Sequence, residues 1–245
     1  MTSDTSRTGG SLYPRRSFRQ RLASKLASIT SPEPLKRLLY SVYGARLQSK
    51  IAGGPLPRHI GVVLDGNRRY AQLNGYADVA AAYRLGSERV NALLSWCDQL
   101  EIPVVTLWSM SLDNLKRDPK EVEGLIQILE EELPKLKHAQ DRSARPRRIR
   151  VSGRVSMLPQ SLRETIAEVE EATAHHGPFQ INIALGYGGR EEIVDAVREV
   201  IREEQANGVQ DNVADHITPE AIARHLYFSG TPDPASSSAQ AAKSG

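Results

Sequence analysis

The stretch His59–Ala71 reads HIGVVLDGNRRYA. Its apolar run, Ile60 to Leu64, is short and bounded by turn residues, which is the pattern of a buried strand. The run ends in a carboxylate, Asp65, then in Gly66 and Asn67, a turn signal, and then in two arginines, Arg68 and Arg69. A strand that passes through a polar turn into a helix is how an α/β unit begins.

The same alternation continues outward from there. Val90, Leu93, Leu94 and Cys97 fall at helical spacing, and PVVTLW (103–108) reads as a second strand. Val122, Leu125, Ile126, Leu129 and Leu133 mark a long helix that starts at Asp118-Pro119. RRIRVSG (147–153) is a third strand, polar enough to sit near an edge, and Leu162, Ile166 and Val169 mark the helix after it. FQINIAL (179–185) is a fourth strand. Ile193, Val194, Val197 and Ile201 mark the next helix, and Ile222 to Leu226 a short last one. The chain is therefore expected to be α/β, with a mainly parallel sheet flanked by helices. In such sheets ligands sit beyond the carboxyl ends of the strands.

Three strand ends carry unusual residues. At the first, Gly66 lets the backbone turn sharply and Arg68 and Arg69 make an anion site, since the planar guanidinium fork suits phosphate oxygens. Asp65 is a poor neighbour for phosphate unless a divalent cation lies between them, and magnesium is typically held by one or two carboxylates plus substrate phosphates. The run thus reads as a magnesium–diphosphate cradle. Taken alone, it reads equally well as an aspartate helix cap followed by two surface arginines. At the second end, WSMSLDNLKR (108–117), Ser111, Asn114 and Arg117 offer small polar groups and one cation. Asn is no strong base, but it can orient a proton acceptor or a phosphate; alone, the stretch is a polar loop. At the third, GYGGR (186–190), glycines between strand and helix permit close backbone approach to a ligand. This turn has neither the lysine of a P-loop nor the spacing of a dinucleotide fingerprint.

Composition sets the outer bounds. The 245 residues make one large domain or two small ones, with 40% hydrophobic and 25% charged residues, as in ordinary globular proteins. A single cysteine, Cys97, excludes an internal disulfide framework and any all-cysteine metal site. No apolar stretch is long enough to span a bilayer, and the N-terminus lacks the apolar core of a secretory signal, so the chain reads as cytoplasmic. The net charge of +3 is uneven: residues 1–50 carry ten Lys/Arg and two Asp/Glu, while the remainder carries 22 and 27. Residues 1–17 read as disordered. Phe18, Leu22, Leu26 and Ile29, then Leu35, Leu38, Leu39 and Val42, read as two basic amphipathic helices that either lie on an anionic membrane surface or pack on the protein body. Nucleic acid is the weaker choice of anionic partner. Gly53, Gly54, Pro55 and Pro57 close this arm with a turn.

Taken in order, HIGVVLDGNRRYA, SMSLDNLKRD (109–118) and NIALGYGGREEIVDAV (182–197) resemble the cis-prenyltransferases, the undecaprenyl diphosphate synthase family. The match runs from about Pro57 to Pro234. The arm helix PLKRLLYSVYGARL (34–47) is similar to that of short-chain actinobacterial members, which include Z-farnesyl diphosphate synthases. The resemblance implies a parallel sheet wrapped by helices around an apolar tunnel. It implies a homodimer that uses Mg2+ to condense isopentenyl diphosphate with an allylic diphosphate, geranyl or farnesyl, setting a cis double bond. Asp65 would be the catalytic and magnesium-holding carboxylate. Gly66, Asn67, Arg68 and Arg69 would hold the allylic diphosphate, with Tyr70 where the family usually has Trp. Ser111, Leu112, Asp113, Asn114, Leu115 and Arg117 match the second loop: Asn114 would assist proton removal, Arg117 would hold phosphate, and Asp113 replaces the usual Glu. Leu125, Ile126 and Leu129 are candidates for the tunnel wall, although plain core packing accounts for most of them. Ser109 stands where chain-length-setting residues occur.

Two departures follow from the comparison of motifs. Tyr83 stands where a diphosphate-binding His is common. After LYFSGTPDP (226–234) the family continues with a strand, an Arg- and Glu-bearing segment and a magnesium-binding Glu, whereas this chain reads ASSSAQAAKSG. The expected organisation is therefore a basic arm over 1–56, a catalytic domain over 57–234 that lacks its last strand and helix, and a disordered tail over 235–245. The dimer is expected to be weakened, and peripheral contact with the inner face of the membrane is expected of the arm. The alternative function is that of a truncated, non-catalytic relative that binds an allylic diphosphate or a partner subunit.

Overall fold

The computed structural model describes residues 53–76, 79–137, 145–209 and 211–234, together with 42–44, 46, 47 and 49–51. The chain divides into two compact units, 1–54 and 55–245. In the first, all the described residues from Val42 to Ile51 are helical, and Gly54 N–H closes a turn on the Ile51 carbonyl at 2.9 Å. The expected helices through Phe18–Ile29 and Leu35–Leu39, and the tail 235–245, lie outside the described residues.

The second unit is built on four strands: β1 (His59–Val63), β2 (Val104–Ser111), β3 (Arg147–Ser152) and β4 (Phe179–Tyr187). All pair in parallel, in the order β1-β2-β4-β3. Parallel strands need crossovers, and helices supply them. These are α1 (Asn67–Leu73), α2 (Val79–Gln99), α3 (Pro119–Glu132), α4 (Gln160–Thr173), α5 (Gly189–Ala206) and α6 (Pro219–Arg224). Neighbouring helices pack α1 on α2, α2 on α3 and α3 on α4, while α5 packs on α6.

Burial follows sheet position. β4 lies inside, and Phe179, Ile181, Ala184 and Leu185 are inaccessible to solvent. β3 is an edge strand, as its polar sequence predicts. Among the described residues β1 is the other edge, which corrects the reading of IGVVL as a buried strand: Val62 is buried but Val63 is 57% exposed. The core joins Leu94 of α2, Leu129 of α3 and Leu162 of α4 to Val105, Ile149 and Ile181 of the sheet. Where the chain leaves β3, Gly153 has φ +126°, and a Cβ there would stand 2.1 Å from the Leu185 carbonyl oxygen. Only glycine fits that crossing under β4.

Candidate active site

The register pairs Val63 of β1 with Trp108 of β2, and Trp108 with Ala184 of β4. The first two strands therefore end side by side. Past Trp108 the β2–β4 register slips on both sides of Met110, an irregularity that re-aims the end of a strand. A cleft of about 810 Å³ opens over these ends.

Most of the expected residues meet there. Asp65, Gly66, Asn67, Arg68 and Arg69 line the cleft from the first loop. Ser111, Asp113, Asn114 and Arg117 line it from the second, and Tyr83 from α2. Tyr70, Leu112 and Leu115 do not. Tyr70 points to Tyr76, with ring centroids 6.1 Å apart, and Leu115 lines a separate hollow with Ile126. Of the tunnel candidates, Leu125 lines the cleft, whereas Leu129 is packed in the core. Ser109 is in the lining.

The first loop turns at Gly66, whose φ of +97° is costly for any residue with a Cβ. Asp65 does not cap α1. One of its oxygens, Oδ1, accepts the Gly66 N–H at 2.6 Å, and the carboxylate stands exposed at the mouth. Asn67 sits against Gly86 of α2, where a Cβ would come within 2.9 Å of Asn67 Oδ1. In the second loop Ser111 and Asn114 fix each other. The Ser111 N–H donates to Asn114 Oδ1 at 2.9 Å, and the Asn114 N–H donates to Ser111 Oγ at 3.3 Å. Asp113 pairs on the surface with Lys116, which lowers the Asp113 pKa and raises that of Lys116.

Glu121 was not among the sequence candidates. It lies in the first turn of α3, four residues after Arg117, and that spacing was the available signal. Its Oε1 accepts from Arg117 Nη1 at 2.9 Å and from the Tyr83 hydroxyl at 3.1 Å, and lies 3.7 Å from Arg68 Nε. Arg117 Nη1 also donates to the Tyr83 oxygen at 3.0 Å. Burial, and then the Glu121 carboxylate, raise the Tyr83 pKa. Trp108 and Tyr187 add an aromatic wall, edge to face at 6.2 Å. The Tyr187 hydroxyl donates to Glu192 at 2.8 Å, and burial followed by that carboxylate pushes its pKa up to about 12. The room left by the glycines around Tyr187 is filled by the protein itself: a Cβ on Gly188 would meet the Glu191 carboxylate and Leu112.

Among the described residues, no three His, Cys, Asp or Glu side chains converge as a metal site. The lining instead holds two carboxylates, Asp65 and the Lys116-paired Asp113, together with Arg68, Arg69 and Arg117. That donor set fits a magnesium ion shared with substrate phosphates better than one caged by protein. No helix among the described residues is long and apolar enough to cross a membrane.

Fold and site together define a parallel α/β protein that gathers arginine side chains at the ends of two adjacent strands. The family described as "Putative undecaprenyl diphosphate synthase" matches residues 63–235. The (2Z,6E)-farnesyl diphosphate synthase of Thermobifida fusca is 41% identical over 197 residues, 80% of this chain and 75% of that protein. An isoprenyl transferase of Thermus thermophilus is 41% identical over 201 residues, 82% of this chain and 76% of its own. A short-chain Z-isoprenyl diphosphate synthase of Mycobacterium leprae is 38% identical over 206 residues, 83% and 77%. Among solved structures, lavandulyl diphosphate synthase from Lavandula x intermedia, in complex with dimethylallyl diphosphate, superposes with a TM-score of 0.62 at 27% identity, covering 70% of this chain and 71% of that one. A probable undecaprenyl diphosphate synthase from Campylobacter jejuni gives 0.54 at 25% identity, covering 71% and 70%. The chain belongs to the cis-prenyltransferase, or undecaprenyl diphosphate synthase, family, and by that homology it is a prenyltransferase enzyme.

Proposed function

We propose that the cleft condenses isopentenyl diphosphate with an allylic diphosphate, geranyl or farnesyl, to give a cis-prenyl diphosphate. The observation that carries this reading is the meeting of two cationic loops, at the adjacent ends of β1 and β2, over one cleft that also holds Met110 and Leu125. In the reaction the allylic C1–O bond breaks and diphosphate leaves. A carbon–carbon bond forms to the isopentenyl double bond, and the isopentenyl unit then gives up a proton.

Gly66, Asn67, Arg68 and Arg69 hold the allylic diphosphate, and the fixed guanidinium charges stabilise the negative charge that grows on it as it leaves. Asp65 would hold magnesium, which the family generally requires and which, when bound, draws charge from the leaving group. Arg117 holds the isopentenyl diphosphate, and Ser111 orients it. The Asn114 carbonyl is committed to the Ser111 N–H, so its amide N–H2 is the end that orients the proton acceptor. The apolar side of the cleft takes the prenyl chain and excludes water from the reacting carbons. Residues 57–234 form the catalytic domain in this reading, and the basic arm 1–56 serves an anionic membrane surface. A second copy of the chain is the expected partner, which sedimentation velocity checks.

The test is incorporation of labelled isopentenyl diphosphate by the purified chain with magnesium and either allylic diphosphate. A labelled prenyl product is expected, and its length identifies the subgroup. Asp65→Ala is expected to lower magnesium-dependent turnover by about a hundredfold or more. Turnover that survives the substitution would overturn the assignment of Asp65. Binding of the allylic diphosphate with no product would favour the non-catalytic alternative.

A further inference from the structure

One carboxylate oxygen touches both halves of the cleft. Glu121 Oε1 is 2.9 Å from Arg117 Nη1 and 3.7 Å from Arg68 Nε, and it accepts the Tyr83 hydroxyl. These partners come from three separate segments: α1, α2 and the loop that follows β2. A glutamate in the first turn of a helix commonly reaches back to the N-cap N–H. The N-cap here is Asp118, whose own side chain accepts the Lys120 N–H, and Glu121 is turned instead to the cleft side chains.

The contacts are one-sided in a useful way. Arg117 spends Nη1 on Glu121 and Tyr83, which leaves Nε and Nη2 to a ligand. Arg68 approaches Glu121 through Nε, which leaves both terminal nitrogens to a ligand. Each fork is thus anchored at one edge and open at the other. Glu121 has a side chain only 18% exposed, so its charge is poorly screened by water, and a flexible arginine held this way loses less freedom when an anion arrives.

We propose that Glu121 is the positioning residue that sets the spacing between the two diphosphate-holding arginines, Arg68 and Arg117, with Tyr83 steadying the shared oxygen. This rests on the assignment of one diphosphate to each loop. A carboxylate inside an anion site opposes binding by its charge alone; its presence is explained when the geometry it imposes outweighs that repulsion. Two diphosphates side by side need their cations preset, because a small misplacement of the reacting carbons costs rate steeply.

The test is titration calorimetry of the full chain with magnesium, using a non-reactive allylic thiolodiphosphate and isopentenyl diphosphate, each alone and then together. The variants are Glu121→Gln, Arg68→Lys and Arg117→Lys, with the two double variants that include Glu121→Gln, and a thermal melt of each checks its fold. Glu121→Gln is expected to weaken both ligands, by about tenfold for the one on Arg117, where a charge-assisted hydrogen bond is lost. The loss is smaller for the one on Arg68, which faces the carboxylate as an ion pair at 3.7 Å. In the double variants the losses should fall short of the product of the single ones, since Glu121 acts through the arginines. Unchanged or tighter binding in Glu121→Gln, or losses that multiply fully with those of the arginine variants, would overturn the proposal while leaving the assignment of the loops intact. If the wild type binds neither ligand, or if both arginine variants bind as the wild type does, the assignment of the loops fails and the proposal falls with it.

Discussion

At Asp65 a carboxylate spends one oxygen on the Gly66 N–H and stands exposed in a lining otherwise rich in arginine. The sequence left a helix cap and a metal-holding group equally open, and the observed bond goes to the turn rather than to the helix it precedes. Tyr83 shows the opposite relation. Its type departs from the family's usual His, yet it still enters the cleft and binds both Arg117 and Glu121. A His at this position would titrate near neutral pH. The Tyr83 hydroxyl has its pKa raised above the ordinary value of 10.0, so it keeps its proton and its bond to Glu121 through neutral and mildly alkaline conditions. Ligand affinity is therefore expected to stay flat from about pH 8 to 10, where free tyrosine begins to ionise. A titration series across that range checks it, and a steep fall with an apparent pKa below that of free tyrosine would contradict the role of this hydroxyl.

Among the elements, α2 matters to the site for what it lacks. Gly86 lies in the middle of this helix, where glycine is unfavourable by about 0.5–1 kcal/mol relative to alanine. A Cβ there would stand 2.9 Å from Asn67 Oδ1 and 3.3 Å from its Nδ2. The obstructed group is a movable side chain, so the fold should accept the change while the first loop does not. Gly86→Ala is expected to hold or raise the melting temperature and to weaken allylic diphosphate binding several-fold; a melt and a calorimetric titration on the same sample separate the two effects. On α5 the apolar pattern overstated burial. Ile193 and Val194 mark the helix but are 51% and 45% exposed, while the buried face is Ala196 and Val200. Periodicity found the helix, and packing chose which stripe of it faces inward.

Across the whole molecule, a buried polar chain ties the sheet to the end of the described chain. The Pro232 carbonyl can only accept, so His59 Nδ1 carries the proton and donates to it. His59 Nε2 then accepts the Thr106 hydroxyl at 2.7 Å, and Thr106 accepts Asn182 Nδ2 at 3.1 Å. Gln180 completes the chain by donating to Asn182 Oδ1 at 2.8 Å. Three strands and the segment around Pro232 are thereby joined. His59→Ala is expected to cost about 2–3 kcal/mol, because it strands buried partners, and to speed protease cleavage within residues 226–234. Denaturant midpoints and limited proteolysis measure both. A second clasp holds the same segment: the Tyr227 hydroxyl donates to Asp195, and its N–H to Glu192, which also accepts from Tyr187. Burial and the accepting carboxylates push both tyrosines up to about 12. Between pH 10 and 12 the unfolded chain sheds these protons while the folded one keeps them, so the folded state binds more protons and stability falls as pH rises. Tyr227→Phe is expected to flatten that decline in alkaline melts.

The sequence by itself determined the alternation of strands and helices, the polar edge character of RRIRVSG and the three strand-end motifs. These are local properties, written in periodicity and turn chemistry over a few consecutive residues. The tertiary structure decided which strands became neighbours and that β1 is an edge. It also decided that Tyr70, Leu112 and Leu115 stay out of the cleft, that Tyr187 lines it, and that Glu121 reaches the lining residues Arg68, Tyr83 and Arg117. Glu121 shows the reason. Its i,i+4 tie to Arg117 lies within one helix start, but its contacts with Arg68 and Tyr83 exist only because α1, α2 and α3 pack side by side over adjacent strand ends. No spacing along the chain encodes that meeting, since it depends on strand order and helix packing.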